Sequence, residues 1–346
     1  MGLWFESINS INEIRNRKRL PNYLFILPSF TLLFFFSAFR GDFNPDYTNY
    51  TTIFQLINSY SFIDAFKVGI DIEFGFLLLN RLIGVFSSNV IYLFIITSFV
   101  ILIGFYHQFN RYSASIWLSV LLFVTAGSFY ASFNITRQIL AAAIIFAGSK
   151  YLYERKFFKY LLVVSLAFLF HKSSLIMVPF YFILNFKVNL RNYSILTIGT
   201  IVIMYLFKDI LVFLQSIGVY DNYTVYAYGM WGQPITKSVL PIAFFIFCLF
   251  HVKKLNRESS IHRIWFNAVV FYAFFNILAL QIEMVERLGR FFASYALLLI
   301  PFIFLKMRNK YLRVAYMTIL IVLVISYNYV VLSDSPFDPH YFIWEK

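Results

Sequence analysis

Charge is scarce in this sequence. Only 13% of its 346 residues are Asp, Glu, Lys or Arg, about half the share of an average soluble domain. Cysteine is scarcer still. Cys248 stands alone, so an intrachain disulfide framework is excluded. No Cys/His cluster has zinc-ligand spacing, and no Gly-rich nucleotide loop or Walker pattern occurs. Low-complexity linkers, a soluble domain and repeats of 20–50 residues are also missing. What is present is apolar: 60% of the residues are hydrophobic and 22% aromatic, with 45 Phe and 25 Tyr. Such a chain is not disordered, and so few charges cannot clothe so much apolar surface in water. A polytopic, all-α membrane protein remains. The net charge of +13 follows membrane topology and calls for no nucleic-acid partner.

A bilayer crossing needs about 20 apolar residues. The run from Leu20 to Phe39 is uncharged and follows Arg15, Arg17, Lys18 and Arg19. It lacks a small-residue cleavage site, which makes it a retained first helix rather than a signal peptide. Further spans are predicted at about 89–106, 114–133, 136–153, 157–171, 173–187, 193–209, 237–251, 264–282, 290–305 and 314–332. That makes about eleven crossings in one membrane domain. The piece 73–86 is too short to cross and carries Arg81; it reads as a re-entrant or half-length helix. With residues 1–19 in the cytoplasm, 19 of the 29 basic residues but only four of the 16 acids fall on the inner side, as the positive-inside rule demands. Residues 252–263 form one of these basic inner loops. The longest outer segments are then 40–72 and 208–236. The second is rich in Tyr and Gly, and reads as an interfacial aromatic belt or a sugar-stacking surface.

Polar residues at helix ends facing one compartment are the functional candidates. Arg40-Gly41-Asp42-Phe43-Asn44-Pro45-Asp46 reads as a turn-rich loop that presents Arg40, Asp42 and Asp46 together. Glu73 opens the short apolar piece, either capping it through the helix dipole or serving as a base or hydroxyl-binding group. Arg137-Gln138 begins a span with Ala141, Ala142, Ala143, Ala147 and Gly148, small residues that let helices pack closely. A well-held arginine there suits a bidentate phosphate contact. His171-Lys172-Ser173-Ser174 interrupts two apolar runs at an outer corner, where a histidine can act as acid, base or anion donor. Glu283/Arg287 and Glu286/Arg290 have the spacing of helical ion pairs. Three separated arginines on an outer face that meets no nucleotide suit a phosphate carried by a lipid.

Taken in order, these motifs resemble the EpsG-like and Wzy-type bacterial polysaccharide polymerases. The resemblance lies in Arg40 through Asp46-Tyr47 and Tyr50, in Glu73-Phe74-Gly75, in Asn134 to Tyr153 with Arg137-Gln138, and in Leu169 to Ser174. It covers roughly residues 20–190 and is looser beyond. It implies a GT-C-like helical fold in the bacterial cytoplasmic membrane, with the active site on the outer, periplasmic face. The implied reaction transfers a growing glycan from undecaprenyl diphosphate onto the next lipid-linked repeat unit, as in O-antigen, capsule or exopolysaccharide synthesis. The implied partners are the lipid-linked oligosaccharide, the bilayer and a chain-length regulator; no cofactor is implied, and no metal is required if arginines do the work of a divalent cation, with Mg²⁺ at the acid cluster as the alternative. Asp46, Glu73, Arg137 and His171 become candidate catalytic residues. Arg40, Asp42, Tyr50, Gln138, Lys172, Arg287 and Arg290 become candidate substrate contacts. A lipid-linked glycan ligase or another membrane sugar-modifying transferase would meet the same ligand on the same face, and a glycan transporter or flippase is the third alternative.

Overall fold

The computed structural model describes residues 23–41, 45–61, 63–67, 72–187, 232–251 and 259–333, with a few residues between 194 and 206. Among the described residues the fold is all helical. The helices are α1 (Tyr23–Ala38), α2 (Pro45–Ser59), α3 (Phe74–Phe86), α4 (Ile91–Tyr112), α5 (Ile116–Thr125), α6 (Ser128–Asn134), α7 (Thr136–Ala147), α8 (Ser149–Tyr153), α9 (Phe157–Phe168) and α10 (Met177–Ile183). After the basic residues of the middle of the chain come α11 (Ile235–Phe250), α12 (Ser260–Leu278), α13 (Glu286–Lys306) and α14 (Lys310–Ser333).

Four stretches are long and apolar enough to cross a membrane: Ile91–Tyr112, Ser260–Leu278, Glu283–Lys306 and Lys310–Val330. A fifth arises if α5 and α6 count as one span, bent by 45°. The bend has a local cause. Gly127 between them has φ +83°, a left-handed conformation that a Cβ makes costly. The expected crossings at 136–153 and 173–187 are likewise broken. The first is divided at Gly148 into α7 and α8, and the second opens with a 3₁₀ turn, Lys172–Ile176, before α10. Six further apolar helices have 10–17 residues, so helices of spanning length account for fewer crossings than the eleven expected. Most of 193–209 and 208–236, the whole of 1–19 and most of the 252–263 loop lie outside the described residues. Arg263, expected in that loop, belongs to the first turn of α12.

The short piece at 73–86 is a helix, α3, of 13 residues. At about 1.5 Å per residue it reaches some 20 Å, short of a bilayer core. The preceding segment differs from its expected loop character. Pro45 occupies the start of α2 and Asp46 its first turn, placements that favour helix initiation. From there Tyr47, Tyr50, Phe54 and Ile57 recur at helical spacing and are all buried. Tyr47 stacks on Phe94 with ring centres 4.7 Å apart, and Tyr50 meets Phe76 at 5.6 Å.

Helices α12 and α13 pack along their lengths and form the buried centre. Helix α4 packs on α7 where Gly104 faces Ala143; a Cβ on Gly104 would stand 2.9 Å from the Ala143 carbonyl oxygen. This close approach is what the small residues of α7 permit. Helix α1 lies against the other side of α4, joined by Ser37 Oγ to Ser98 Oγ at 2.6 Å and by Tyr106 OH donating to Ser29 Oγ at 2.9 Å. The outermost long helix, α14, exposes Leu312, Val314, Ile319, Val322 and Ile325. Exposed leucine and phenylalanine also line α1. Apolar side chains so arrayed on the outside of a bundle match a lipid solvent.

Candidate functional site

The site begins with a glycine. The amide of Gly75 donates to the Leu169 carbonyl at 2.7 Å, docking the start of α3 onto the end of α9. A Cβ on Gly75 would fall 2.7 Å from that carbonyl oxygen and 2.8 Å from Leu169 Cβ, so the approach requires glycine. Docking carries Glu73, two residues earlier, to the corner after α9. Glu73 is the N-cap of α3, yet its side chain makes no bond to that helix. Its Oε1 instead accepts from the Lys172 amide at 3.2 Å, at the start of the 3₁₀ turn, and faces His171 Nδ1 at 3.0 Å. Its Oε2 accepts from Arg137 Nη1 at 2.6 Å. Glu73 stands at the N-terminus of its own helix, where the dipole favours a carboxylate, and its side-chain hydrogen bonds go to the neighbouring corner and to Arg137.

One carboxylate thus joins three segments that are far apart in sequence. Arg137 lies in the first turn of α7, which directly follows α6, with its guanidinium 5.9 Å from the centre of the Phe76 ring. Its amide donates to the Tyr50 hydroxyl at 3.5 Å. The side chains of Arg137 and His171 are 26% and 22% exposed, and that of Glu73 only 7%. Burial raises the Glu73 pKa, but the His171 hydrogen bond, the Arg137 charge and the Lys172 amide outweigh it. The carboxyl is held at about 2, below its usual range. A group so placed stays ionised and is a poor proton acceptor near neutral pH.

The other candidates are distributed over several places. Gln138 Nε2 donates to the Arg287 carbonyl, tying α7 to the first turn of α13, where Arg287 is exposed. Glu286 and Arg290 form the expected helical pair at 2.6 Å, and Arg290 Nη1 is close enough to Gly127 to lie 3.7 Å from a Cβ there. Glu283 pairs instead with Lys237 of α11 at 2.6 Å. Lys172 is exposed beside His171. Asp46 accepts from its neighbour Asn49 at 3.3 Å, and Asp42 lies outside the described residues. Arg40, expected to face the outer loop, is 1% exposed. Ser98 and Thr136 emerge as its partners, and only the position of Thr136 beside Arg137 could have pointed to either. Among the described residues no group of three His, Cys, Asp or Glu side chains could hold a metal ion.

The fold and site together define a helical membrane protein with a half-buried Arg–Glu–His cluster at converging helix ends. The model of the EpsG family matches residues 23–343, and the chain belongs to that family. No curated protein and no solved structure matches the chain significantly.

Proposed function

We propose that this protein is a polysaccharide polymerase of the bacterial cytoplasmic membrane, its N-terminus cytoplasmic and its site open to the outer face. It transfers an undecaprenyl-diphosphate-linked glycan onto the next lipid-linked repeat unit, assisted by a chain-length regulator. Family membership supports the reading at the level of a polysaccharide polymerase-type membrane protein. The observation that carries it further is the meeting of Arg137, Glu73 and His171 on one carboxylate.

In this reading each side chain has one task. Arg137 uses one nitrogen for Glu73, also meets the Tyr50 side chain, and turns its remaining donors to the diphosphate. Arg287 and Lys172, both exposed, add positive charge at the rim. As the bond from the sugar's anomeric carbon to the diphosphate oxygen breaks, that oxygen keeps the electron pair and Arg137 stabilises the added charge. The acceptor hydroxyl oxygen forms the new bond to the anomeric carbon. Its proton passes to His171 Nε2, while Nδ1 faces Glu73 and is held by it. Glu73 orients the imidazole and balances the imidazolium, and remains ionised throughout.

The test is extension of a lipid-linked repeat unit by the purified protein in lipid nanodiscs. His171→Gln should slow extension at least about a hundredfold, the usual worth of a positioned acid or base, with unchanged thermal unfolding. Unaltered extension would remove His171 from the reaction. Transfer to an acceptor other than a lipid-linked glycan would make the protein a ligase.

A further inference from the structure

We propose that Arg40 is a buried positioning residue of the Arg137 site, which supplies positive potential behind the first turn of α7 without touching substrate. The proposal rests on the reading of Arg137 as the diphosphate-binding residue.

Arg40 follows α1 and is 1% exposed, one of the largest fully buried side chains. Its Nη1 donates to the Ser37 carbonyl at 2.6 Å and reaches Ser98 Oγ at 3.5 Å. Its Nη2 reaches Thr136 Oγ1, also at 3.5 Å. The guanidinium sits 4.2 Å from the centre of the Phe94 ring and 5.3 Å from that of Phe133. These contacts link the end of α1 to α4, α6 and the first residue of α7. Arg40 Nε is buried without a hydrogen-bond partner, and no acidic side chain within ion-pair distance of Arg40 occurs among the described residues.

Among the described residues Arg40 is a buried cation with no carboxylate beside it, a costly placement. Hydrophobic packing alone would be served better by an apolar side chain in the Phe94–Phe133 sandwich. The placement becomes useful once an anion is considered. Thr136 precedes Arg137 in the chain, and Tyr50 lies within electrostatic reach of both guanidinium groups. Arg40 thus reaches the first residue of α7, and the next residue, Arg137, pairs with Glu73 at the positive end of that helix. An arriving diphosphate would complete the balance. Because Arg40 is enclosed, it acts across low-dielectric protein, where a fixed charge is felt over a longer distance than in water.

Inorganic pyrophosphate is the probe, with binding to the full-length protein measured in nanodiscs alongside thermal unfolding. Arg40→Met should weaken binding about tenfold while the unfolding temperature stays the same or rises. Arg40→Lys keeps the charge and should bind within about threefold of the parent. Arg40→Met binding as the parent does would overturn the proposal. So would a folded Arg40→Lys that binds as poorly as a folded Arg40→Met, because geometry rather than charge would then be at stake. If Arg40→Met does not fold, Arg40→Lys alone decides: near-parental binding supports the proposal and lost binding overturns it. Arg137→Met is measured in parallel. Retained binding in that variant would remove the reading of Arg137 itself, whereas loss there with no effect at Arg40 would remove only this inference.

Discussion

Glu73 shows how one residue's surroundings decide its chemistry. It has two carboxylate oxygens and three partners, and its pKa lies at about 2, under the ordinary value. A carboxyl depressed in the folded state stabilises that state fully above the unfolded value of about 4.3 and loses the contribution as pH falls toward the folded one. Glu73→Gln should therefore lower stability by about 3 kcal/mol, the cost of breaking a largely buried pair. The deficit relative to the parent should persist down to about pH 5 and shrink in stronger acid. Thermal unfolding of both proteins across that range checks it. A deficit that shrinks already between pH 7 and 6 would mean that another group governs the cluster. The sequence marked Glu73, Arg137 and His171 by their polarity at helix ends. It could not show that they share one carboxylate, because that contact depends on how α3 docks.

At the scale of elements, the docking is the work of a backbone hydrogen bond and a missing side chain. Gly75→Ala places a methyl group against the Leu169 carbonyl at 2.7 Å, and the start of α3 must move to relieve it. The expected cost is about 1–3 kcal/mol, as for overpacking elsewhere, with polymer formation falling at least tenfold because Glu73 moves away from His171. A quantified glycan ladder and an unfolding measurement on the same variant check this. Normal product with normal stability would show that the docking is dispensable. The motif Glu73-Phe74-Gly75 was visible in the sequence, but its glycine gains a physical reason only from the neighbouring helix. Helix α2 was the main element missed. Arg40 to Asn49 carries Gly, Pro and Asn, and such residues usually mark turns. Pro45 instead begins a helix, and the buried face of Tyr47, Tyr50, Phe54 and Ile57 holds it in place. The bend at Gly127 escaped notice for the opposite reason, since an apolar run gives no sign of a left-handed residue within it.

For the whole molecule, composition sufficed for the class. So many Phe and Tyr with so few charges fit only a chain solvated by lipid, and the apolar exteriors of α1 and α14 agree. Counting crossings was harder, because hydropathy registers apolar length and misses breaks in helix geometry such as those at Gly127 and Gly148. The orientation, inferred from Lys and Arg placement, makes a labelling prediction. Cys248 is fully buried, so the native thiol gives little background. A cysteine at the exposed position of Lys67 should react with a membrane-impermeant maleimide in intact cells. One at Arg308, also exposed, should react only after permeabilisation. The reverse pattern would invert the topology and put the Arg137 cluster on the cytoplasmic side.

In the proposed mechanism Arg137 binds the departing diphosphate through its fork. Arg137→Lys keeps the charge and removes the two-pronged geometry. The decisive measurement is the ladder of glycan chain lengths made by this variant in a strain lacking the native enzyme, with membrane protein quantified in the same cells. At normal protein level the expected result is loss of about 3 kcal/mol of transition-state stabilisation, a roughly hundredfold fall in polymer. A normally accumulated variant with an unchanged ladder would contradict it.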